Sequence, residues 1–280
     1  MIIRTEKLSK RYKNIWALKD VSLSIGDGIT LFVGPNGAGK TTFIHLIVGI
    51  LKPTYGQITY CGDGDFREYI RFIGNSFMYP DDLTVYSYLK YIASILSLSV
   101  TEVDKVIEYL QLQSVTHQLI STLSTGFKMR TIIAQALMGK PKLVIADEPF
   151  TGLDPIIKSQ LRDIIYNAHI QYGINFFISS HQIAELEPIA TNVIFINKGK
   201  IVSHSLRDEN KKSITLFVEK PKAFLEHIKK YGIQGYIHNN YVIIYTNSLK
   251  NLFKAAYSYP DNIYSIQMSA IEEAFRDEIS

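Results

Sequence analysis

The sequence predicts an α/β fold built on a mixed core sheet, with an antiparallel β subdomain, a helical insertion and a small α+β domain towards the C-terminal end. Three observations predict it. Short apolar runs typical of buried strands alternate with stretches of helical periodicity between residues 29 and 205. Residues 2 to 30 alternate apolar and polar side chains, as antiparallel strands do. From about residue 213 the order becomes β-α-β-β-α-β, the split βαβ plan of ferredoxin-like domains.

Length and composition limit the possible classes of protein. The chain has 280 residues, which suits one large domain over residues 1–205 and a small one over residues 213–280. Its net charge of +4, with both signs mixed, indicates no dedicated nucleic-acid surface, so we expect no nucleic-acid partner. The single cysteine, Cys61, excludes an internal disulfide framework and suits a reducing compartment. No apolar run approaches the roughly 18–20 residues of a membrane span, and no signal peptide is evident, so we expect a chain that is soluble by itself.

Two strands are predicted near the start of the chain, over residues 2–6 and 17–25. A further edge strand is predicted over residues 56–60. Tyr12 lies between the first two strands. An exposed aromatic ring at this point suits stacking on a nucleotide base. A boundary tyrosine without a ligand is an equally good interpretation of its position alone.

A glycine-rich segment, Gly34–Thr42, follows the predicted strand Ile29–Val33 and precedes a predicted helix over residues 43–48. It has the form GxxxxGK followed by Ser or Thr, in the strand, loop and helix context of a phosphate-binding loop. Glycines let main-chain N–H groups turn towards an anion, and the helix start adds positive dipole character. Lys40 is expected to reach the outer phosphates and the Thr41 hydroxyl to bind Mg²⁺. The residues expected to bind the nucleotide here are Asn36, Gly37, Ala38, Gly39, Lys40, Thr41 and Thr42.

The middle of the chain predicts an all-helical insertion, at about residues 77–138. A core strand over residues 69–75 precedes it and ends at the polar Asn75. Helical periodicity then passes through Tyr88 and Leu89 and continues towards Leu110. Ser124 has the position of an N-cap for a long amphipathic helix.

Two adjacent acids, Asp147 and Glu148, follow four apolar residues, Leu143–Ala146, at the carboxyl edge of the inferred sheet. Ligands of open α/β sheets bind at that edge. Because neighbours on a strand point to opposite sides, we expect Asp147 to hold Mg²⁺, directly or through water, and Glu148 to face the terminal phosphate and polarise water. A solvated acidic loop is the alternative, and it fits poorly with carboxylates directly after a buried run. His181 ends the next predicted strand, Asn175–Ser180, and is a candidate sensor of the terminal phosphate.

The remaining elements complete the two domains. A helix is predicted over residues 155–172 and a closing hairpin over residues 193–202. The tail alternates strands with helices over residues 221–231 and 248–257, and a last helix is predicted over residues 270–279. The tail has no catalytic constellation, so packing, dimer stabilisation or regulation are its expected roles.

Together, the loop, the acid pair, the strand-end histidine and the segment Leu123–Gly126 resemble the nucleotide-binding subunit of ABC transporters, over residues 2 to about 205. The resemblance implies a P-loop NTPase that binds ATP and Mg²⁺ and hydrolyses ATP. It makes Tyr12 the aromatic residue that stacks on the base and Thr151–Asp154 the D-loop. It makes Glu148 and His181 the catalytic pair.

The same resemblance places Ser124 and Gly126 in the signature motif, which in the family completes the ATP site of the opposite subunit. Two ATPase subunits, identical or related, are therefore expected to enclose two ATP molecules. Separate integral-membrane permease subunits would hold the chain in the cytoplasm at the inner face of the cell membrane. The tail resembles the extension on ATPases of ABC-2-type exporters, which favours export of a peptide, antibiotic or similar substrate.

Asn75 and Thr125 depart from the family pattern, and Phe127–Met129 diverge from the glutamine-containing continuation that usually follows the signature. Asn75 stands where a glutamine is expected, and its shorter side chain puts its reach to Mg²⁺ in doubt. The resemblance nevertheless assigns the metal ligands as Thr41, Asn75 and Asp147. Thr125 replaces a glycine of the signature, and its Cβ near the partner's phosphate is expected to weaken closure. Because Glu148 and His181 are both present, we expect a site that is competent for hydrolysis.

Two other classes of protein fit the sequence less well. A soluble regulatory ABC-type ATPase usually has two cassettes in one chain or a long coiled coil, and neither is evident. A P-loop GTPase is suggested superficially by Asn197–Lys200, but the aspartate of a guanine-reading element is missing.

For the transporter subunit, a permease groove is predicted around Asn75, Phe77, Met78, Tyr79, Tyr86 and Tyr88, with core packing an equal alternative for each residue.

Overall fold

The computed structural model of the protein describes residues 2–62, 64–74, 82–182, 186–206, 212–238, 241–246, 249–259 and 263–267. The chain divides into two compact units, Met1–Ser205 and Leu206–Ser280. The first unit contains a six-stranded and a three-stranded sheet, and the second contains a four-stranded sheet. The predicted fold class, α/β with a smaller C-terminal α+β part, is confirmed.

The first unit begins with three consecutive strands, has three consecutive α-helices in its middle and ends with three consecutive strands. The strands are β1 (Ile3–Tyr12), β2 (Ile15–Ile25), β3 (Ile29–Val33), β4 (Tyr55–Tyr60), β5 (Ile70–Ile73), β6 (Leu143–Asp147), β7 (Asn175–Ser180), β8 (Asn192–Asn197) and β9 (Lys200–Leu206). The helices are α1 (Lys40–Ile47), α2 (Val85–Ile95), α3 (Val100–Tyr109), α4 (Thr125–Leu137) and α5 (Pro155–Tyr172). Short 3-10 turns cover Phe66–Glu68, Gln113–Val115 and Ile120–Thr122.

The six-stranded core sheet has the order β5-β6-β7-β3-β8-β9. The neighbours from β5 to β8 pair in parallel, so the carboxyl ends of β3, β6 and β7 meet at one edge. Every residue of β3 and β6 is buried, as expected for strands covered on both faces. The strand predicted over residues 69–75 as a core strand is the edge strand β5, with two of its four side chains only half-buried.

Three phenylalanine rings fix α1 against this sheet. Phe32 of β3 lies 5.2 Å from Phe43 of α1 and 5.1 Å from Phe177 of β7, measured between ring centroids. All three side chains are fully buried. Aromatic pairs at this separation stabilise by roughly 0.5–1.5 kcal/mol beyond their area burial. The start of α1, where the glycine-rich segment ends, is therefore held at a defined place on the sheet.

The three-stranded antiparallel sheet has the order β2-β1-β4. It extends further than predicted, because β1 continues to Tyr12, which pairs with Ile15 of β2. Tyr12 is thus the last residue of a strand and does not lie between two strands. Register shifts after Thr5 and after Leu8 interrupt the two-residue alternation of β1. This interruption is the reason why the sequence pattern identifies only the first part of the strand.

The predicted helical insertion contains α2, α3 and α4, which pack on one another. Tyr88 is buried in it, and its hydroxyl donates a hydrogen bond to the side-chain oxygen of Gln135. Assigning Tyr88 to an exposed permease groove is therefore wrong, since the side chain belongs to the helical core. Tyr86 is half-buried. The other predicted groove residues, Asn75, Phe77, Met78 and Tyr79, lie outside the described residues.

The second unit follows the β-α-β-β-α-β order. Its elements are β10 (Lys212–Val218), α6 (Pro221–Lys229), β11 (Gln234–His238), β12 (Tyr241–Thr246), α7 (Leu249–Tyr257) and β13 (Ile263–Gln267). The antiparallel strand order β11-β12-β10-β13 is that of a ferredoxin-like sheet. Phe224 and Ile228 of α6 and Leu252 of α7 pack with strand residues in one buried core. The helix predicted over residues 270–279 lies outside the described residues.

Within the described part of the chain, none of the helices combines the length and the apolar character needed to cross a bilayer.

Candidate functional site

The glycine-rich segment forms a tight loop between β3 and α1. Gly37 and Gly39 adopt positive φ values of 81° and 106°, which are unfavourable for residues that have a Cβ atom. A Cβ on Gly39 would lie 2.6 Å from the carbonyl oxygen of Ala17, and one on Gly34 would lie 2.2 Å from the carbonyl oxygen of Ile196. Glycine is therefore required sterically at Gly34 and Gly39. Asn36 and Gly37 are exposed at the tip of the loop, and successive main-chain N–H groups in such a loop favour an anion.

The turn between β8 and β9 supports this loop from behind. The N–H of Gly199 donates to the carbonyl of Ala38 at 2.9 Å. The carbonyl of Gly199 accepts from the N–H of Lys19 in β2, also at 2.9 Å. Gly199 thus joins the loop to β2 through two main-chain hydrogen bonds.

Lys40, the first residue of α1, is 6% exposed and has its ammonium group inside the loop. Its Nζ donates to the carbonyl oxygens of Gly34 at 2.6 Å and Pro35 at 3.3 Å. The same Nζ lies 3.1 Å from Oε1 of Glu148. The positive charge of Lys40 therefore lies inside the loop. Thr41 and Thr42 follow in the first turn of α1, with Thr41 exposed.

Glu148 is the first residue after β6 and has a left-handed φ of 51°. The left-handed region costs a non-glycine residue roughly 1–2 kcal/mol. This backbone conformation, rather than the alternation of a strand, directs its carboxylate to three partners. Besides Lys40, Oε2 lies 2.6 Å from Nδ1 of His181 and accepts from the hydroxyl of Thr151 at 3.1 Å. The structure therefore brings Lys40, Glu148 and His181 together at the carboxyl edge of the sheet.

Two opposing effects set the protonation of Glu148. Burial raises the pKa of its carboxyl, but hydrogen bonds from His181 and Lys40, together with the charge of Lys40, outweigh this and hold the pKa below its usual value. Ionised Glu148 only accepts, so the proton of His181 lies on Nδ1. The side-chain nitrogen of Gln182 lies 3.2 Å from Nε2 of His181, and an amide nitrogen only donates. Both ring nitrogens of His181 thus lie within hydrogen-bond distance of a side chain.

The depressed pKa of Glu148 predicts how stability depends on pH. The ionised form stabilises the fold above the ordinary value of 4.5, and this contribution is lost as the pH falls through the lower pKa of the folded state. We expect the free energy of unfolding of the wild type, relative to Glu148→Gln, to fall as the pH is lowered below about 4.5. Urea unfolding of both proteins over this range measures it. A difference that does not change with pH would contradict the assigned shift.

Asp147, the last residue of β6, is 1% exposed. Its Oδ1 accepts a hydrogen bond of 2.6 Å from the hydroxyl of Ser179, which lies opposite it in the register of β6 and β7. Its Oδ2 is buried and has no hydrogen-bond partner among the described residues. A buried carboxylate oxygen without a protein donor suits a cation or the water bound to one. Ser179 was not identified from the sequence, although its place opposite Asp147 follows once the two strands are known to be neighbours.

The remaining predicted residues lie elsewhere. Tyr12 is 45% exposed at the end of β1, with Nζ of Lys10 5.4 Å from its ring centroid. Ser124 is the N-cap of α4, and its hydroxyl accepts from the N–H of Phe127 at 3.5 Å. Gly126 is buried, and a Cβ on it would lie 2.9 Å from Cδ1 of Ile157 in α5. The predicted ligand Asn75 lies outside the described residues.

Comparison with known proteins places this site in a family. The family model described as ABC transporter matches residues 18–151. The bacitracin transport ATP-binding protein BcrA of Bacillus licheniformis is 36% identical over 226 residues, which cover 78% of this chain and 74% of that protein. The chain belongs to the ABC transporter ATP-binding proteins. This ABC ATPase is also 32% identical to the lantibiotic transport ATP-binding protein SrtF of Streptococcus pyogenes, over 77% of this chain and 96% of that protein.

A solved structure shows the same fold. The cbiO1 protein of Clostridium perfringens, part of the ABC transporter complex cbiONQ, matches with a TM-score of 0.66 and 27% identity, covering 74% of this chain and 89% of that one. The resemblance found in the sequence and the assignment as an ATPase are confirmed. Family members bind ATP, and ATPase domains of ABC transporters act as dimers with membrane permease subunits. The relatives are transport proteins, so the regulatory ATPase without a transport role is not favoured.

Proposed function

We propose that this ABC ATPase powers the export of a peptide or peptide-like antibiotic through separate permease subunits. Relatives named for bacitracin and lantibiotic transport support this class of cargo. The observation that carries the ATPase mechanism is the position of Glu148, whose ionised carboxylate lies between Lys40 and His181 at the carboxyl edge of the core sheet. In this assignment residues 1–205 are the ATPase domain, with the helical subdomain at about 77–138, and residues 213–280 are a separate small domain.

The phosphates of ATP are the substrate groups that the loop and Lys40 recognise. Main-chain N–H groups at the tip of the loop and the Lys40 ammonium supply the positive environment, and Tyr12 offers its exposed ring to the base. Mg²⁺ would be held by Thr41, Asp147 and Asn75, and it neutralises phosphate charge when bound. The partnerless Oδ2 of Asp147 fits that assignment.

Hydrolysis depends on how Glu148 is held. Its low pKa keeps the carboxylate ionised at neutral pH, so that it accepts a hydrogen bond from water and orients that water for attack on the terminal phosphate. His181 donates from Nδ1 and Thr151 from its hydroxyl, which fixes one oxygen of Glu148. Lys40 leaves Oε1 of Glu148 when it turns towards phosphate. The oxygen that it leaves is then available to water.

We assign Ser124 and Gly126 to the ATP site of the partner subunit. Ser124 is exposed at the N-terminus of α4, where main-chain N–H groups and the helix dipole favour an anion. In the assembled transporter, two ATPase subunits would lie on the cytoplasmic face of the membrane beneath the permease. The partner is a second copy of this chain or a related ATPase.

Mixing two inactive variants tests the assignment of Ser124 to the partner's site. Ser124→Asp keeps an N-cap residue, so α4 is retained, but places a negative charge against the partner's phosphate. Each site consists of the phosphate loop of one chain and the signature segment of the other, and Lys40→Ala inactivates the loop half. In a mixed dimer, the intact loop of the Ser124→Asp chain and the intact signature of the Lys40→Ala chain form one functional site. A 1:1 mixture should then recover about a quarter of the wild-type ATPase rate if the sites act independently.

Each variant alone, at the same total concentration, is the control for this experiment and should show only background hydrolysis. A mixture with no more activity than its separate components would contradict a shared site in a dimer of this chain. Substantial hydrolysis by Ser124→Asp alone would show that Ser124 does not face a phosphate.

A further inference from the structure

A single buried hydroxyl, that of Ser179, is bonded to both acids of the site. Ser179 is fully buried near the end of β7. Its Oγ donates to Oδ1 of Asp147 at 2.6 Å and accepts from the main-chain N–H of Glu148 at 2.9 Å. Both bonds connect neighbouring parallel strands, because Asp147 and Ser179 are directly opposite in the register.

The two bonds have different consequences. The first occupies Oδ1 of Asp147 and leaves Oδ2 as the oxygen without a partner among the described residues. The second holds the N–H of Glu148 while that residue is in the left-handed region, with φ at 51°. Glu148 in this conformation reaches Lys40 and His181. The orientation of one carboxylate and the backbone direction of the other therefore depend on the same oxygen atom.

We propose that Ser179 is a positioning residue of the ATPase site: it selects the oxygen of Asp147 that faces Mg²⁺ and it directs Glu148 towards the water that it orients. The proposal rests on the function proposed above. Without the hydroxyl, Oδ1 of Asp147 and the N–H of Glu148 both lose their partner in a place where water does not replace it. The Asp147 carboxylate is then free to rotate, and the Glu148 backbone loses a restraint.

Ser179→Ala removes the hydroxyl at little change in volume. We expect it to lower kcat for ATP hydrolysis by about 10- to 100-fold and to weaken ATP binding in the presence of Mg²⁺ by about 10-fold. ATP binding in EDTA should stay within about 2-fold of the wild type, because the loop and Lys40 are untouched. Titration with a fluorescent ATP analogue, with Mg²⁺ and with EDTA, measures this difference.

Thr5→Val is the matched control. The Thr5 hydroxyl is also buried, donates to the carbonyl of Val21 at 3.2 Å and accepts from the N–H of Leu23 at 2.9 Å, in the antiparallel sheet away from both acids. The Thr5→Val variant should lose about as much thermal stability as Ser179→Ala does, and it should keep the wild-type effect of Mg²⁺ on ATP binding. If Ser179→Ala does not fold, Ser179→Cys replaces it, since a thiol of similar size donates weakly and should give an intermediate loss.

The outcomes separate the inference from the proposed function. A wild-type protein that fails to bind ATP would overturn the proposed function itself. The second case is a wild type that binds ATP more tightly with Mg²⁺ than without it. If Ser179→Ala or Ser179→Cys then shows the same Mg²⁺ effect and the same kcat, only the role of Ser179 is overturned. A selective loss of the Mg²⁺ effect supports it.

Discussion

Replacing Glu148 with glutamine should stop ATP hydrolysis while ATP binding persists. An amide side chain at this position cannot accept a proton from water, and loss of a positioned general base costs roughly 10²–10⁴-fold in rate. In the wild type the carboxylate also competes for Lys40, whose Nζ lies 3.1 Å away with both side chains at least nine-tenths buried. Removing the negative charge frees Lys40 for phosphate. The variant should therefore bind ATP at least as tightly as the wild type and accumulate as an ATP-bound dimer.

Single-turnover hydrolysis and size-exclusion chromatography with and without ATP measure the two parts of this prediction. Glu102→Gln is an acid-to-amide control, because Glu102 also forms an ion pair with a lysine, Lys105, at 2.6 Å, but on the surface of α3. It should leave rate and oligomeric state unchanged. Hydrolysis at the wild-type rate by Glu148→Gln would place catalysis on another residue.

The fold was predictable where local signals agree with one another. The helix α5 begins at Pro155 and ends at Tyr172, as predicted. Asp154 caps its start by accepting from two main-chain N–H groups at 3.0 Å, and Gly173 ends it with a φ of 67°. The strand β1 lacks such signals in its second half. Its register shifts turn side chains away from the expected alternation, so no clear pattern extends up to Tyr12.

The site was predictable to the extent that it depends on strand ends. Parallel strands bring Lys40, Asp147 and His181 to one edge, whatever the lengths of the segments between them. The left-handed backbone of Glu148 and the hydroxyl of Ser179 depend on three-dimensional contacts that no spacing encodes. Ser179 resembles an ordinary strand residue in the sequence. Its role emerges only from the pairing of β6 with β7.

Replacing Lys40 should have the largest effect on ATP binding, of about 100-fold or more, because charge-assisted bonds to phosphate are among the strongest in proteins. Lys40 is the residue whose charge the loop encloses, with its Nζ bonded to the carbonyls of Gly34 and Pro35. Lys40→Met keeps most of the buried aliphatic volume, while it removes the ammonium group and its contacts with the two carbonyls and with Glu148. Lys90→Ala, on the exposed face of α2, controls for a general loss of positive charge.

Inorganic triphosphate, which has no base, separates the contribution of Lys40 from that of Tyr12. Lys40→Met should lose competition by triphosphate together with ATP binding, since both depend on the phosphate site. Tyr12→Ala should weaken ATP binding by the roughly 1–3 kcal/mol of a base–aromatic stack and leave triphosphate competition unchanged. Tight ATP binding by Lys40→Met would contradict the phosphate loop. Loss of triphosphate competition in Tyr12→Ala would instead show that the exposed ring supports the loop and does not stack on a base.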